Sequence, residues 1–140
     1  MNKRPIIILG AGGHAKVLID TLQNQAANLL GITDPGPNKF GQVIFGVPVI
    51  GNDDSIFKYN NKSIYLVNGI GMIDNSDRRR QIFKYFNRCG YNFASVVHDS
   101  AVISPNTEFF EGVQIMAGAI IQAGSTIGIN SIINSRANID

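Results

Sequence analysis

The sequence predicts two architectures in succession: a Rossmann-like parallel α/β domain over residues 1–94, and the first, incomplete coils of a left-handed parallel β-helix over residues 95–140. A strand, glycine turn, helix and strand at the start of the chain predict the α/β domain. Large apolar residues that recur every six positions predict the β-helix. The chain has 140 residues, of which 44% are hydrophobic, so it can form one compact domain or two small ones.

The first third of the chain has the pattern of a βαβ unit, whose two strands are parallel and are joined by a right-handed crossover. An apolar, β-branched run at residues 5–9 predicts a buried strand that glycine ends. Residues 13–23 predict a helix, and residues 29–33 predict a second strand that the turn sequence of residues 34–36 closes. The predicted apolar stripe of the helix consists of Val17, Leu18, Thr21 and Leu22.

A loop and a short helix are predicted beyond the second strand. The loop over residues 35–45 is rich in Gly, Pro and Asn, and an extended piece follows at residues 47–51. Asn52 or Asp53 supplies the oxygen that caps a short helix through Tyr59.

The last helix predicted for the α/β domain lies between a third strand at residues 63–67 and a fourth at residues 93–97. Ser76 or Asp77 caps its start, and Gly90 ends it. Its predicted apolar stripe is Ile82, Tyr85, Phe86 and Cys89. The one cysteine of the chain is therefore predicted to be a core thiol, and its being alone suits a reducing cytoplasm.

The final third of the chain repeats every six residues, a period that no α-helical stripe has. Each large residue is predicted to point into the shaft of a triangular coil, with a small or β-branched residue two positions earlier beside it. Because three repeats of six make one coil of about 18 residues, this stretch makes a little over two coils. No capping element follows, so we expect the chain to be the front part of a longer protein. The large residues are Val97, Ile103, Phe109, Ile115, Ile121, Ile127, Ile133 and Ile139.

Glycine or asparagine three positions after the large residue allows the chain to turn each corner. These corner residues are Asn106, Gly112, Gly118, Gly124 and Asn130. His98 lies where the α/β domain passes into the coils and is predicted to be a corner or interface residue.

The net charge of the chain argues against a nucleic-acid partner. Twelve basic and ten acidic side chains give a net charge of +2, which is too balanced to indicate nucleic-acid binding. The only basic run, Arg78 to Arg80, is predicted to be a solvated helix face.

The apolar run at residues 6–9 is shorter than the ~7–15 residues of a signal-peptide core. No stretch approaches the ~20 apolar residues of a membrane helix, so no membrane insertion is predicted.

The turn at residues 10–15 has the form G-x-G-x-x-A between a strand and a helix, and Asp34 follows about 20 residues on, as in dinucleotide sites. The helix start favours a phosphate or carboxylate. The alternative is a tight turn that serves packing alone.

His14 is unusual for a dinucleotide site. The helix dipole disfavours its cation, so we expect a neutral ring that grips a polar substrate or that bonds to the loop backbone.

Residues 6–17 resemble the opening of the sialic-acid O-acetyltransferase and bacterial sugar N-acetyltransferase family, which is NeuD/PglD-like. The glycine–glycine–histidine turn, Asp34, the Gly-Ile-Gly loop at residues 69–71, the arginine-led helix, His98 and the hexapeptides all follow in the family's order. The resemblance implies an acetyltransferase that moves an acetyl group from acetyl-CoA to an amino or hydroxyl group of a nucleotide-activated or sialic-type sugar. It implies no metal ion, a cytoplasmic location and a homotrimer with acetyl-CoA between neighbouring coils.

The same resemblance assigns the binding residues. The glycine turn would contact the sugar nucleotide, the end of the second strand would hold its uracil or ribose, and the Gly-Ile-Gly loop would line the same cleft. The family often has two acids at the end of the second strand, and Thr33 departs from that pattern. The residues implied are Gly12, Gly13, His14, Thr33, Asp34, Gly69 and Gly71.

The resemblance places no catalytic residue within the chain. In the family a histidine, the expected general base, comes directly after the position of Asp140. Such a base contributes about 10²–10⁴-fold. We therefore expect residues 1–140 alone to bind the sugar nucleotide and to transfer acetyl groups poorly or not at all. Asn134 either stacks into an inward asparagine ladder or lines the acceptor pocket.

Two alternatives stay open at the level of the sequence. The first is an NAD-type dinucleotide-binding oxidoreductase, which the glycine turn and Asp34 favour. Against it, about four strands precede the hexapeptides, fewer than two complete βαβαβ halves need. The second is a non-catalytic module that binds a sugar nucleotide. The sequence does not distinguish O- from N-acetylation, nor one sugar from another.

Overall fold

The structure is a computed structural model that describes residues 4–72 and 77–140. The chain divides into two compact units, Met1–Phe93 and Ala94–Asp140, and each has its own apolar core. The first unit is a parallel α/β fold and the second consists of β-helix coils. The predicted fold class is therefore confirmed.

A five-stranded sheet forms the centre of the first unit, in the order β3-β4-β2-β1-β5. Four strands are parallel, and only the edge strand β3 runs antiparallel to its neighbour. The predicted βαβ unit is present as β1, α1 and β2, and all four residues of β1 are buried. The strands are β1 (Ile6–Leu9), β2 (Leu29–Thr33), β3 (Val43–Ile44), β4 (Val47–Gly51) and β5 (Tyr65–Asn68).

Two α-helices, α1 (Gly13–Asn24) and α2 (Arg78–Arg88), and two short 3₁₀ helices, Pro37–Lys39 and Asp53–Lys58, complete the described part of the first unit. Asn52 caps the second 3₁₀ helix, as predicted, because its Oδ1 accepts the N–H of Asp54 at 3.1 Å. For α2, Asp77 is at the N-cap position without a side-chain cap bond, and Ser76 lies outside the described residues.

The predicted stripe of α1 is wrong at one position. Val17 is 50% exposed, and Ile19 is buried in its place. The buried face follows the spacing i, i+3, i+4 and i+7 from Ala15, which leaves position 17 on the opposite side of the helix. The buried residues of α1 are Ala15, Leu18, Ile19, Thr21 and Leu22.

The predicted stripe of α2 is wrong at Tyr85 and Cys89, whereas Phe86 is buried and Ile82 packs against the core. The buried residues are Arg79, Phe83 and Phe86, whereas Tyr85 is exposed. The buried face begins one helical turn earlier than predicted, at Arg79, so the basic run is not a uniformly solvated face. Cys89 is exposed, contrary to the predicted core thiol, because it is the C-cap residue, beyond the last buried turn.

The predicted fourth strand at residues 93–97 divides between the two units. Phe93 forms a parallel bridge with Leu66 of β5 in the first unit. Val96–Val97 is the first strand, β6, of the second unit.

Three parallel walls form the second unit: β6-β9-β12, β7-β10-β13 and β8-β11. Paired residues are 18 positions apart, as in the pairs Val96–Gln114 and Ile120–Asn138. All eight predicted large residues lie in or against its apolar core. The strands are β6 (Val96–Val97), β7 (Val102–Ile103), β8 (Glu108–Phe109), β9 (Gln114–Ile115), β10 (Ile120–Ile121), β11 (Thr126–Ile127), β12 (Ile132–Ile133) and β13 (Asn138–Ile139).

Most predicted corners adopt the left-handed backbone conformation. The φ angles of Gly112, Gly118, Gly124 and Asn130 lie between +59° and +87°. Asn106 is the exception, because its φ is not positive and its N–H donates to Ser104 Oγ instead. Arg136 occupies the next corner with a φ of +63°, which the sequence did not indicate.

Candidate functional site

A cavity of about 320 Å³ lies at the carboxyl ends of β1, β2 and β5 in the first unit. Each of these strands leads directly into residues that line it, which is where ligands bind in open α/β sheets. The lining residues are Gly10, Ala11, Gly12, Gly13, His14, Asp34, Pro35, Lys39, Gly69, Ile70, Gly71 and Arg78.

The glycine turn leaves the start of α1 open to the cavity. Gly10 has a φ of +91°, and its N–H donates to the carbonyl of Thr33 at 2.7 Å. Gly12 is at the N-cap, and a Cβ added there or at Gly13 would have no described heavy atom within 4 Å. The N–H groups at a helix start attract anions, so this open approach suits a phosphate.

Asp34 connects β2 to the glycine turn. Its Oδ2 accepts the N–H of Ala11 at 3.0 Å, and its Oδ1 accepts the N–H of Gly36 at 2.9 Å. Lys39 Nζ lies 3.8 Å from Oδ2 and lines the same cavity. The carboxylate therefore fixes the turn and holds a cation beside it.

Arg79 supports the opposite wall of the cavity. Its Nη1 donates to the carbonyls of Asn68 and Ile70, at 3.0 and 2.7 Å. The Asn68 side chain donates in return to the carbonyl of Arg79 at 3.0 Å, and its Oδ1 accepts the N–H of Ile70 at 3.1 Å. Burial lowers the pKa of Arg79 to about 10, so the guanidinium remains a cation at neutral pH.

Six of the predicted site residues meet at this cavity: Gly12, Gly13, His14, Asp34, Gly69 and Gly71. Thr33 does not line it. The Thr33 side chain is fully buried and its hydroxyl donates to Asp53 Oδ1 at 2.9 Å. Successive residues of a strand face opposite sides, so Thr33 and Asp34 do not reach the same space.

Sequence reasoning missed three cationic residues of the site: Lys39, Arg78 and Arg79. Lys39 ends a short 3₁₀ helix in a segment that carries no sequence motif. The basic run was interpreted as solvated, but Arg78 lines the cavity and Arg79 is buried. The spacing of Arg79, Phe83 and Phe86, which is i, i+4 and i+7, is the signal that places Arg79 on a buried face.

The remaining predicted residues belong to the second unit. Asn134 is exposed at a corner, so its side chain does not point inward to a ladder. Its backbone carbonyl accepts the N–H of Ala137 at 3.1 Å. His98 Nδ1 accepts the N–H of Ser100 at 3.0 Å, which agrees with a corner residue. Ser100 Oγ in turn accepts the N–H of Gly118 at 2.9 Å.

Within residues 4–72 and 77–140, no three His, Cys, Asp or Glu side chains are grouped so as to hold a metal ion. Among the described helices, none has the length and apolar composition to cross a membrane.

The sequence profile described as the PglD N-terminal domain matches residues 5–86. The chain belongs to the PglD N-terminal domain family. This membership confirms the PglD-like resemblance seen in the sequence. The matched residues include the glycine turn, Asp34, the Gly-Ile-Gly loop and Arg79. A comparison with curated proteins gave no significant match.

Solved structures with a PglD-like fold resemble the whole chain. The acetyltransferase domain of PglB from Neisseria gonorrhoeae FA1090, in complex with acetyl coenzyme A, is 28% identical with a TM-score of 0.87, over 99% of this chain and 65% of that one. PerB from Caulobacter crescentus, in complex with CoA and GDP-perosamine, is 36% identical with a TM-score of 0.83, over 97% of this chain and 62% of that one.

A histidine-to-asparagine mutant of perosamine N-acetyltransferase from Caulobacter crescentus, also with CoA and GDP-perosamine, is 35% identical with a TM-score of 0.83 over 97% of this chain and 62% of that one. The chain thus spans less than two thirds of the length of these solved chains. These similarities do not favour the NAD-type oxidoreductase alternative.

Proposed function

We propose that the chain serves an acetyl-CoA-dependent sugar acetyltransferase and that its cavity binds the nucleotide-activated sugar. The observation that carries this proposal is the cavity itself, where the open start of α1 faces the cations Lys39 and Arg78. The helix N-terminus, Arg78 and Lys39, which also pairs with Asp34, complement the two negative charges of the diphosphate in a nucleotide-linked sugar. The similarity to proteins solved with CoA and GDP-perosamine supports both ligands.

In the proposed reaction, an amine or hydroxyl of the sugar attacks the thioester carbonyl of acetyl-CoA. The new bond joins the acetyl carbon to the sugar nitrogen or oxygen, the carbon–sulfur bond breaks, and CoA leaves as its thiol with the proton. His14 lines the cavity and contributes to holding the sugar nucleotide. The acetyl acceptor is a nucleotide-linked amino sugar or a sialic-type sugar.

The assembly and the location are part of the same proposal. The three-walled coils of the second unit form a homotrimer, with acetyl-CoA bound between the coils of neighbouring subunits. The enzyme works in the cytoplasm, where acetyl-CoA and nucleotide-activated sugars are made. Analytical ultracentrifugation tests the assembly, because a monomer at all concentrations would contradict a trimer.

Calorimetric titration of the protein with GDP, UDP, CoA and NADH tests the proposed ligands. We expect binding of at least one of the two nucleotides and of CoA, and no binding of NADH. Lys39→Met is expected to weaken the nucleotide about five-fold, or ~1 kcal/mol, because it removes one partly exposed cation from the cavity. Lys62→Met is the matched control, since Lys62 is exposed and does not line the cavity. Binding of NADH in preference to both nucleotides would overturn the proposal.

A further inference from the structure

The segment from Asn68 to Gly71, which we name the β5 loop, is held by a fully buried cation. Arg79 is 2% exposed, and one nitrogen of its guanidinium donates to two carbonyls of this loop. Removing a cation from water costs free energy, and the hydrogen bonds to the loop carbonyls offset part of that cost. A neutral apolar side chain would fill the same space at a lower desolvation cost, so packing alone does not account for an arginine here.

The β5 loop fits closely against the glycine turn. A Cβ added at Gly69 would lie 2.5 Å from the Leu9 carbonyl oxygen, and one added at Gly10 would lie 2.8 Å from Ile70 Cδ1. At Gly71 the added Cβ would lie 3.4 Å from His14 Cβ. A change in the position of the loop therefore displaces the residues that face the ligand from both walls.

The guanidinium also determines which way one peptide group of the loop faces. The Ile70 carbonyl points at Arg79 Nη1, at 2.7 Å. Because a trans peptide is planar, the N–H of Gly71 points in the opposite direction, away from the guanidinium. Gly71 lines the cavity beside His14, whereas Arg79 does not line it.

We propose that Arg79 is a positioning residue for the sugar nucleotide: its buried guanidinium holds the β5 loop so that the Gly71 N–H is offered to the anionic part of the ligand. This inference rests on the proposed function of the cavity. Arg79 does not line the cavity itself and acts through the two carbonyls that it binds. Asn68 completes the arrangement, since its side chain bonds both to the Ile70 N–H and to the Arg79 carbonyl.

The test compares three variants by calorimetric titration with GDP and with UDP. Arg79→Met removes the charge and the donors at similar length, and we expect it to weaken the bound nucleotide at least about 10-fold. Arg79→Lys keeps the charge on a shorter stem, so its affinity falls between those of the wild type and Arg79→Met. Arg80→Met is the matched control, because Arg80 is the next residue of the same helix and its side chain is 65% exposed. Its affinity is expected to stay within about two-fold of the wild type.

A second measurement separates positioning from a purely structural role. The ¹⁵N–¹H resonance of Gly71 is expected to shift downfield when nucleotide binds to the wild type, because a phosphate oxygen accepts its hydrogen bond. In Arg79→Met this shift is expected to be lost, while the resonances of the second unit stay unchanged. If Arg79→Met does not fold, Arg79→Lys takes its place in both measurements, with an expected affinity loss of about three-fold or more.

Each outcome has a distinct meaning. If the wild type binds nucleotide and the folded variant binds equally well, or still shows the Gly71 shift, the inference is overturned and the proposed function stands. If Arg80→Met loses as much affinity as Arg79→Met, the effect is one of general charge, and the inference is again overturned. If the wild type binds neither GDP nor UDP, the proposed function and the inference both fail.

Discussion

Asp34 uses both of its carboxylate oxygens within the protein. One oxygen accepts the N–H of Ala11 in the glycine turn, and the other accepts the N–H of Gly36 in the following loop. A carboxylate has about four lone-pair sites, so a ligand hydroxyl can still bond to it. Its main role is structural, because these bonds connect the ends of β1 and β2. A contact with a ligand would be additional to this role.

Asp34→Asn tests this role at the scale of one residue. The amide keeps one acceptor but presents an NH₂ group to a backbone N–H, so one buried donor loses its partner. We expect the free energy of unfolding to fall by about 2 kcal/mol, measured by urea denaturation. Asp20→Asn, at an exposed position of α1, is the control and is expected to change it by less than about 0.5 kcal/mol. Equal stabilities of the two variants would contradict the connecting role.

The residues that sequence motifs identified differ in kind from those that the motifs missed. Gly12, Gly13 and His14 were found because the turn between a strand and a helix has a fixed spacing. Lys39 lines the cavity, and Arg79 holds one of its walls. Both do so through tertiary contacts that no local motif indicates. Arg79 was missed because arginine is almost never fully buried, so a run of three arginines was interpreted as solvated.

At the scale of the coil, the backbone geometry of the corners explains why few residue types occur three positions after each large residue. Three glycines and one asparagine take positive φ at successive corners, and these residues adopt that conformation at low cost. Arg136 takes the same conformation with a φ of +63°, although its Cβ makes the conformation unfavourable. This corner is therefore under local strain that its neighbours do not have.

Arg136→Gly is expected to stabilise the second unit. Relief of the left-handed strain exceeds the extra backbone entropy that glycine loses, which leaves a gain of about 0.5–1 kcal/mol in thermal or urea unfolding. The backbone bond from the Arg136 N–H to the Ala117 carbonyl, at 2.9 Å, is retained. Ser135→Gly is the matched control: its φ is not positive, so glycine there is expected to destabilise or to have no effect. A loss of stability in Arg136→Gly would refute the argument.

The two periodic patterns in the sequence differed in how well they located buried residues. The six-residue period gave eight large residues that all lie in or against the core of the coils, because coils stack with a fixed pairing distance of 18 residues. The helical period was less exact. In α2 the buried face begins at Arg79, which a search for apolar residues passes over. The helical stripe was therefore misplaced because the buried residue at its start is charged and not apolar.

At the scale of the whole molecule, the cavity belongs to the first unit. The described residues that line it lie between Gly10 and Arg78, and the core of that unit ends at Phe93. The sequence predicted one strand over residues 93–97, since an apolar run gives no sign that its residues belong to two different sheets. The pairing of Phe93 with Leu66 assigns Phe93 to the first unit.

A fragment of residues 1–93 is therefore expected to fold by itself and to bind nucleotide. All the described residues of its core and of its cavity belong to the first unit. We expect a cooperative unfolding transition in circular dichroism, and an affinity for GDP or UDP within about three-fold of that of the 140-residue chain. A fragment that folds but has lost all affinity would show that the second unit contributes to the binding of nucleotide.

The exposed position of Cys89 has a practical consequence. The chain has one cysteine, so a maleimide fluorophore attaches at a single place without any engineering. That place is the C-cap of α2, a helix of 11 residues and hence about 16 Å long. Arg78 and Arg79 are at the other end of the same helix. Arg78 lines the cavity, so the emission of a dye at the opposite end of this helix can report ligand binding in real time.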